Sequence, residues 1–191
     1  MARPLSELTL SELWRLFPIQ LRPYDPAWEQ WYETEATHLR SAFTGDAVEI
    51  THIGSTSVPG LMAKPIVDIL VETDDQRGPA AIVSALVDQG WLLMAASDDP
   101  RFRLDLNKGY TPDGFADKVF HCHVVRPGDR DEVYFRDWLR THPRTCREYE
   151  ALKRDLASKH EHDRDAYTLG KTQFIRAITG QAIAAGSSRH H

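Results

Sequence analysis

Apolar residues recur at helical spacing from the start of the chain. Leu5, Leu8, Leu13, Leu16 and Phe17 predict a helix over 5–17, with Ser6 as its cap and Pro18 as its stop. A short extended piece over 19–24 follows. Asp25-Pro26 then reads as an N-cap with proline at the first helical position. The helix it opens runs to about residue 43, with Trp28, Trp31, Tyr32 and Leu39 as core contacts, and Gly45 ends it.

The period changes at residue 48. A strand over 48–53 leads into a turn-rich stretch over 54–64 with two glycines and a proline. Residues 65–71 (PIVDILV) are almost continuously aliphatic, which predicts a central strand buried on both faces, with Asp68 as the exception. A helix over 79–89, ended by Gly90, precedes a strand over 91–95. Residues 102–106 alternate: Phe102, Leu104 and Leu106 point one way, and Arg101, Arg103, Asp105 and Asn107 the other. A polar loop is predicted over 108–116 and a strand over 119–125. Helices are predicted over 132–141, 145–160 and 163–184.

No internal repeat or linker-like shift in composition breaks this order. The reading is an α/β (α+β) fold: a mixed sheet of about five strands flanked by helices, with a helical C-terminal third. An N-terminal helical extension is expected over 1–18, the domain proper over 19–184, and a disordered tail over 185–191.

Composition narrows the function. The 191 residues carry 23 Lys plus Arg against 28 Asp plus Glu, a net charge of −5, so no nucleic-acid partner is expected. Apolar runs fall short of the roughly 20 residues a membrane helix needs. The opening MARPLSEL lacks a signal-peptide layout. The two cysteines, Cys122 and Cys146, suit a reducing cytoplasm and form neither a disulfide framework nor a zinc pair. The five tryptophans would serve a core or an interface equally.

Three groups of residues could carry chemistry. The run His52-Ile53-Gly54-Ser55-Thr56-Ser57 takes a strand into a small, hydroxyl-rich turn. Glycine there lets a backbone approach a ligand, and hydroxyls and amides can hold phosphate oxygens; an ordinary Gly/Pro turn explains the pattern as well. Asp68 is costly to bury unpaired. It reads either as a metal-binding or catalytic carboxylate at the mouth of the sheet or as the partner of an arginine. Glu72 shares its face if the strand is regular.

His121 and His123 flank Cys122, so both imidazoles face one side, as a metal-binding or general-base pair or as a structural one. A solvated strand face is the simplest reading of Arg103 and Asp105. If their strand neighbours that of Asp68, Asp105 supplies a second acid and Arg103 a phosphate contact. Arg136, Arg140, Arg144, Lys153 and Arg154 are expected to be solvated or paired with nearby acids. Lys171 lies beside an apolar stripe of Tyr167, Phe174, Ile175 and Ile178, and can snorkel or reach a polar cleft.

The run HIGSTSVPGLMAKPIVDILVE resembles the signature of the GrpB family, whose members have a nucleotidyltransferase-like fold. RPYDPAWEQWYETEATHLR is similar to the family's opening strand and helix, FHCHVV to its paired-histidine strand, and FRDWLRTHPRTCREYEALKRDLA with DRDAYTLGKTQFI to its helical tail. In the wider superfamily a Gly-Ser pair is followed, on the next strand, by two acids separated by one residue that hold divalent metal. Here Gly54-Ser55 matches the pair, and Asp68 matches the first acid after twelve intervening residues; Leu70 stands where the second acid would be.

The resemblance therefore implies a protein that binds a nucleotide or other phosphorylated small molecule. His52, Gly54, Ser55, Thr56 and Ser57, with Lys64, Arg103 or Lys171, would hold the phosphates. Asp68, aided by His121 and His123, would hold Mg²⁺ or Mn²⁺ and carry any nucleotidyl transfer to a small acceptor. The missing second acid equally fits a ligand-binding or folding-support module, or another chemistry in the same pocket.

Overall fold

A computed structural model describes residues 3–43 and 48–187. Its strands are β1 (Val48–Ile53), β2 (Val67–Thr73), β3 (Leu92–Ser97), β4 (Arg103–Thr111) and β5 (Gly114–Val125). Its helices are α1 (Leu10–Leu16), α2 (Ala27–Arg40), α3 (Pro79–Val87), α4 (Asp131–Thr141), α5 (Pro143–Lys159) and α6 (Arg164–Ser187).

The five strands form one mixed sheet in the order β1-β2-β5-β4-β3, in which β2 and β5 alone run parallel. The expected α/β architecture is therefore present, with the PIVDILV strand at its interior.

Alternation along β2 builds two different layers. Val67, Ile69 and Val71 are fully buried and pack with Trp28 and Leu39 of α2, Ile82 and Leu86 of α3, and Leu104, Leu106, Cys122 and Val124 of the neighbouring strands. Asp68, Leu70 and Glu72 face the opposite way. There Leu70 packs with Ile53, Val125 and Val133. Further along that side, Val58 and Leu61 meet Phe135, Leu139, Tyr149 and Ile178 from the three C-terminal helices. Helices thus cover both faces of the central parallel pair, as its apolar composition requires.

Several expected boundaries shift. The first helix begins at Leu10, and Thr9, not Ser6, caps it. The Thr9 side chain accepts from the Glu12 backbone N–H while the Glu12 carboxylate accepts from that of Thr9, a reciprocal capping box. Asp25 Oδ1 accepts from Ala27 N–H at 2.9 Å, but α2 opens one residue later than expected, with Pro26 at the N-cap and Ala27 as the first helical residue. Gly45 lies outside the described residues. So does the tail from residue 188; residues 185–187, expected in the tail, still belong to α6.

The predicted loop over 108–116 is instead a β-hairpin, with β4 continuing to Thr111 and β5 beginning at Gly114. Gly109 makes this possible: its φ is +90°, and a Cβ there would lie 2.3 Å from the Lys118 carbonyl oxygen. A register shift between Lys108 and Tyr110 marks the bulge. The hairpin brings Tyr110 beside His121.

Candidate ligand-binding cleft

A cleft of about 740 Å³ lies between the Asp68 face of the sheet and helices α4–α6. One wall begins at Gly54, where the chain leaves β1 with φ of +70° and turns through the short 3-10 segment Ser55–Ser57. Gly54 and Ser55 line the cleft.

The rest of that turn looks elsewhere. Thr56 and Ser57 are buried. Thr56 Oγ1 meets His52 Nε2 at 3.0 Å, and His52 Nδ1 meets the Glu29 carboxylate at 3.2 Å. The carboxylate accepts, so Nδ1 carries the proton and Nε2 accepts from the threonine hydroxyl. His52 also stacks on Tyr32 at 4.8 Å. Ser57 Oγ donates to the Gly54 carbonyl at 2.6 Å. His52, Thr56 and Ser57 are thus the turn's scaffold, not part of the cleft wall. Arg136, which pairs with Asp137 as expected, and Arg140 also brace the same turn from α4: Arg136 donates to the His52 carbonyl and Arg140 to that of Ser57.

Asp68 sits opposite Gly54, and β5 places His121 directly beside it. His121 Nδ1 donates to Asp68 Oδ1 at 3.0 Å. Its Nε2 then accepts from the Tyr110 hydroxyl at 2.8 Å, and the Tyr110 oxygen accepts from Arg164 Nη2 at 2.9 Å. The result is one directed chain from Arg164 to Asp68. Burial keeps His121 below the usual imidazole range despite its carboxylate partner, and pushes the Tyr110 phenol up to about 12. Burial also pushes the Asp68 carboxyl up, but the His121 hydrogen bond, followed by the fields of His121, His123 and then Lys64, outweighs it and leaves Asp68 at about 2.

His123 has a separate partner. Asp105 lies opposite it on β4, and His123 Nδ1 donates to Asp105 Oδ1 at 2.5 Å. Arg103 Nε donates to the same oxygen at 2.9 Å and its Nη1 to Glu132 at 2.9 Å. Arg103 and Asp105 are therefore half-buried in a network at the cleft, not on a solvated strand face. Burial pulls the Asp105 carboxyl up, yet the bonds from His123 and Arg103 hold it below its ordinary value. Glu72 does not join the site. It is buried further along β2, where it accepts from the Gly128 N–H at 3.0 Å and pairs with Arg130 at 3.1 Å.

Cations crowd the other wall. Lys64, Lys153, Arg164 and Lys171 all line the cleft. Lys64 and Lys171 lie 5.4 Å and 4.4 Å from the centroid of the same Tyr167 ring. Lys153, expected in solvent, is only 2% exposed; its ammonium reaches Ser55 Oγ at 3.1 Å and also meets the Met62 carbonyl. Burial, then Lys171, brings Lys153 down to about 7, and burial brings Lys171 down to about 8. Burial and the neighbouring Arg164 and Lys171 push Lys64 well below the ordinary lysine range. Asp68 is the carboxylate that opposes this push at Lys64 and Lys171. An anion entering the cleft would relieve the remaining repulsion.

Lys153, which the sequence places in solvent or beside an acid, and Arg164 and Tyr110, which it does not single out, all belong to the site. Tyr149, Lys153 and Leu156 share one apolar helical face, and a lysine on such a face was the available signal for the first.

Divalent metal was expected on Asp68, His121 and His123. Among the described residues no three His, Cys, Asp or Glu side chains converge to hold a metal. Both His121 nitrogens and one nitrogen of His123 are engaged in hydrogen bonds within the protein. The donor set does not make a protein-built metal site. It does fit a divalent ion that arrives with phosphates, for which one carboxylate oxygen from Asp68 suffices.

The family described as GrpB protein matches residues 18–181. The UPF0157 protein PA4798 of Pseudomonas aeruginosa is 39% identical over 173 residues, covering 90% of this chain and 70% of that protein. The crystal structure of the conserved protein GrpB from Enterococcus faecalis overlies this one with a TM-score of 0.75 at 30% identity, over 87% of this chain and 98% of that one. The Cid1 poly(U) polymerase, in its Mg 3′-dATP-bound structure, overlies at 12% identity with a TM-score of 0.49, over 84% of this chain and 51% of that one. No helix among the described residues is long and apolar enough to cross a membrane. With its family match running from the first extended segment into the last helix, this chain belongs to the GrpB family.

Proposed function

We propose that the cleft binds a phosphorylated small molecule of the nucleotide class, with its phosphates against Lys64, Lys153, Lys171 and Arg164. The observation that carries this reading is that those four cations line one partly buried space with Asp68, while the cleft's other carboxylates, Asp131 and Glu132, are accompanied there by Arg103 and Arg176. Such an arrangement is unfavourable without an anion and favourable with one. The Gly54-Ser55 turn adds an unhindered backbone and a hydroxyl to the same wall. A volume of about 740 Å³ is ample for a nucleotide, and Phe135, Ile175 and Ile183 give it an apolar side. Where Mg²⁺ accompanies the phosphates, Asp68 is the residue that would hold it; the ion would neutralise phosphate charge.

The test is a thermal-shift panel with the four ribonucleoside triphosphates, pyrophosphate and unphosphorylated nucleosides, each with and without Mg²⁺. A ligand that binds only the folded state raises Tm by mass action. Stabilisation by phosphorylated ligands, absent with nucleosides and lost in Lys64→Ala/Lys171→Ala, is the expected result. Equal response of the double variant and the wild type would overturn the assignment.

One observation favours a second reading, a binding module without turnover. Leu70, in the position of the superfamily's second acid, is wholly buried among Ile53, Val125 and Val133, so no carboxylate on β2 can assist Asp68. On that reading ligands stabilise the protein and none is consumed.

A further inference from the structure

The two strand histidines look alike in sequence and differ in what they leave free. His121 uses both ring nitrogens: Nδ1 donates to Asp68, and Nε2 accepts from the Tyr110 hydroxyl. It has no lone pair left for a ligand. His123 uses only Nδ1, which donates to Asp105 at 2.5 Å. Its Nε2 has no hydrogen-bond partner among the described residues, and the ring, with 20% of its side chain exposed, lines the cleft.

Asp105 is itself fixed. Arg103 Nε donates to the oxygen that His123 uses, and Arg103 is tied in turn to Glu132 on α4. A carboxylate held beside a guanidinium stays ionised and only accepts, so the proton of neutral His123 stays on Nδ1. The basic lone pair is then on Nε2, at the cleft. A carboxylate orienting an imidazole whose far nitrogen meets the reacting group is the arrangement general-base catalysis uses.

We propose that His123 is the general base of a group transfer in this cleft, with Asp105 as its positioning residue. The proposal rests on the reading of the cleft as a nucleotide site. The step it describes is the attack of an acceptor hydroxyl, from a small alcohol or water, on a phosphorus of a nucleoside triphosphate. The hydroxyl proton passes to His123 Nε2 as the oxygen forms its bond to phosphorus. The bond from that phosphorus to the leaving pyrophosphate breaks, and pyrophosphate departs with the electron pair against the lysine wall. The imidazolium then returns its proton to solvent.

Two measurements on the full chain test it. Long-range ¹H–¹⁵N spectra of the histidine rings report the tautomer without requiring turnover. In its neutral form the wild-type His123 ring is expected to carry its proton on Nδ1, and Asp105→Ala, which removes the acceptor, to shift population to the Nε2–H form while the fold persists. A neutral wild-type ring carrying its proton on Nε2 would overturn the proposal.

Pyrophosphate release is then followed with the four Mg²⁺ nucleoside triphosphates and a set of small alcohols in water. The expected result is a loss of about 10²–10⁴-fold in kcat for His123→Gln with KM little changed, and a smaller kcat loss for Asp105→Ala. Turnover undiminished in His123→Gln overturns the proposal, as does binding of triphosphates with no pyrophosphate released. Either of those leaves the binding reading standing. Failure of every nucleotide to bind overturns both.

Discussion

Gly54 and Asp68 share a space that admits no side chain on the glycine: a Cβ at Gly54 would lie 2.2 Å from Asp68 Oδ2. The glycine also holds φ of +70°, where other residues are strained. One residue thus sets both the exit of β1 and the position of the cleft's central carboxylate. Gly54→Ala is expected to lose about 1–3 kcal/mol of stability and to push Asp68 off His121. Chemical denaturation measures the first effect, and the histidine ring resonances of His121 the second. A variant with wild-type stability and an unshifted His121 would contradict this account.

Burial of Lys153 costs the fold stability. Its folded value of about 7 lies below the ordinary 10.5, so the unfolded chain binds its proton more tightly. The resulting penalty is fully present below a pH of about 7 and fades as pH rises toward 10.5. Lys153→Met is therefore expected to raise the Tm of the ligand-free protein most near neutral and mildly acidic pH, with the gain shrinking in alkali. The same variant is expected to bind triphosphate more weakly. A Tm gain that grew with pH would refute the assignment.

Anion binding should also take up protons. Lys153 and Lys171, at about 7 and about 8, are partly neutral in mildly alkaline buffer. An anion favours their charged forms. Calorimetric titration of pyrophosphate near a pH of about 8, in buffers of differing ionisation enthalpy, is expected to show uptake of about one proton per ligand. Heats that do not depend on the buffer would show that neither lysine meets the anion.

Asp68→Asn separates bare-anion from metal-assisted binding. Removing a negative charge from a cationic cleft is expected to strengthen binding of phosphate anions in EDTA, severalfold. If Mg²⁺ accompanies the ligand through Asp68, the same variant loses the additional affinity that Mg²⁺ confers on wild type. An identical Mg²⁺ effect in both proteins would remove Asp68 from metal binding.

His52 gives the contrasting case. It holds Thr56 and Glu29 behind the turn and does not line the cleft. His52→Ala is expected to cost about 1–3 kcal/mol through the unpaired threonine and the lost packing, while the folded protein keeps its affinity for phosphate. A selective loss of affinity at unchanged stability would move His52 into the site.

How much of this was legible in sequence depended on whether local pattern or tertiary pairing decided the outcome. PIVDILV declared an interior strand because only a strand buried on both faces tolerates that run, and Asp68 stood out against it. The hairpin at 108–116 was hidden because Gly109, Pro112 and Gly114 are turn residues in any local reading. The bulge at Gly109 exists only through its close approach to Lys118.

In His52-Ile53-Gly54-Ser55-Thr56-Ser57, the hydroxyls were visible but not their directions. Ser55 faces the cleft, whereas Thr56 is held behind by His52. The pairing of His123 with Asp105 required knowing that β4 lies beside β5, which alternation along either strand alone does not reveal. Arg164 and Lys153 come from helices distant in sequence, and only packing against the sheet brought them into the cleft.

The central claim is that the four-cation wall is an anion site. Calorimetric titration of a nucleoside triphosphate into wild type and into Lys64→Ala/Lys171→Ala tests it most directly. The account predicts saturable one-to-one binding to wild type that weakens with added salt. It also predicts a loss of about 10–100-fold or more in the double variant, since each lysine supplies a charge-assisted contact. No binding to wild type, or equal affinity in the two proteins, would contradict it.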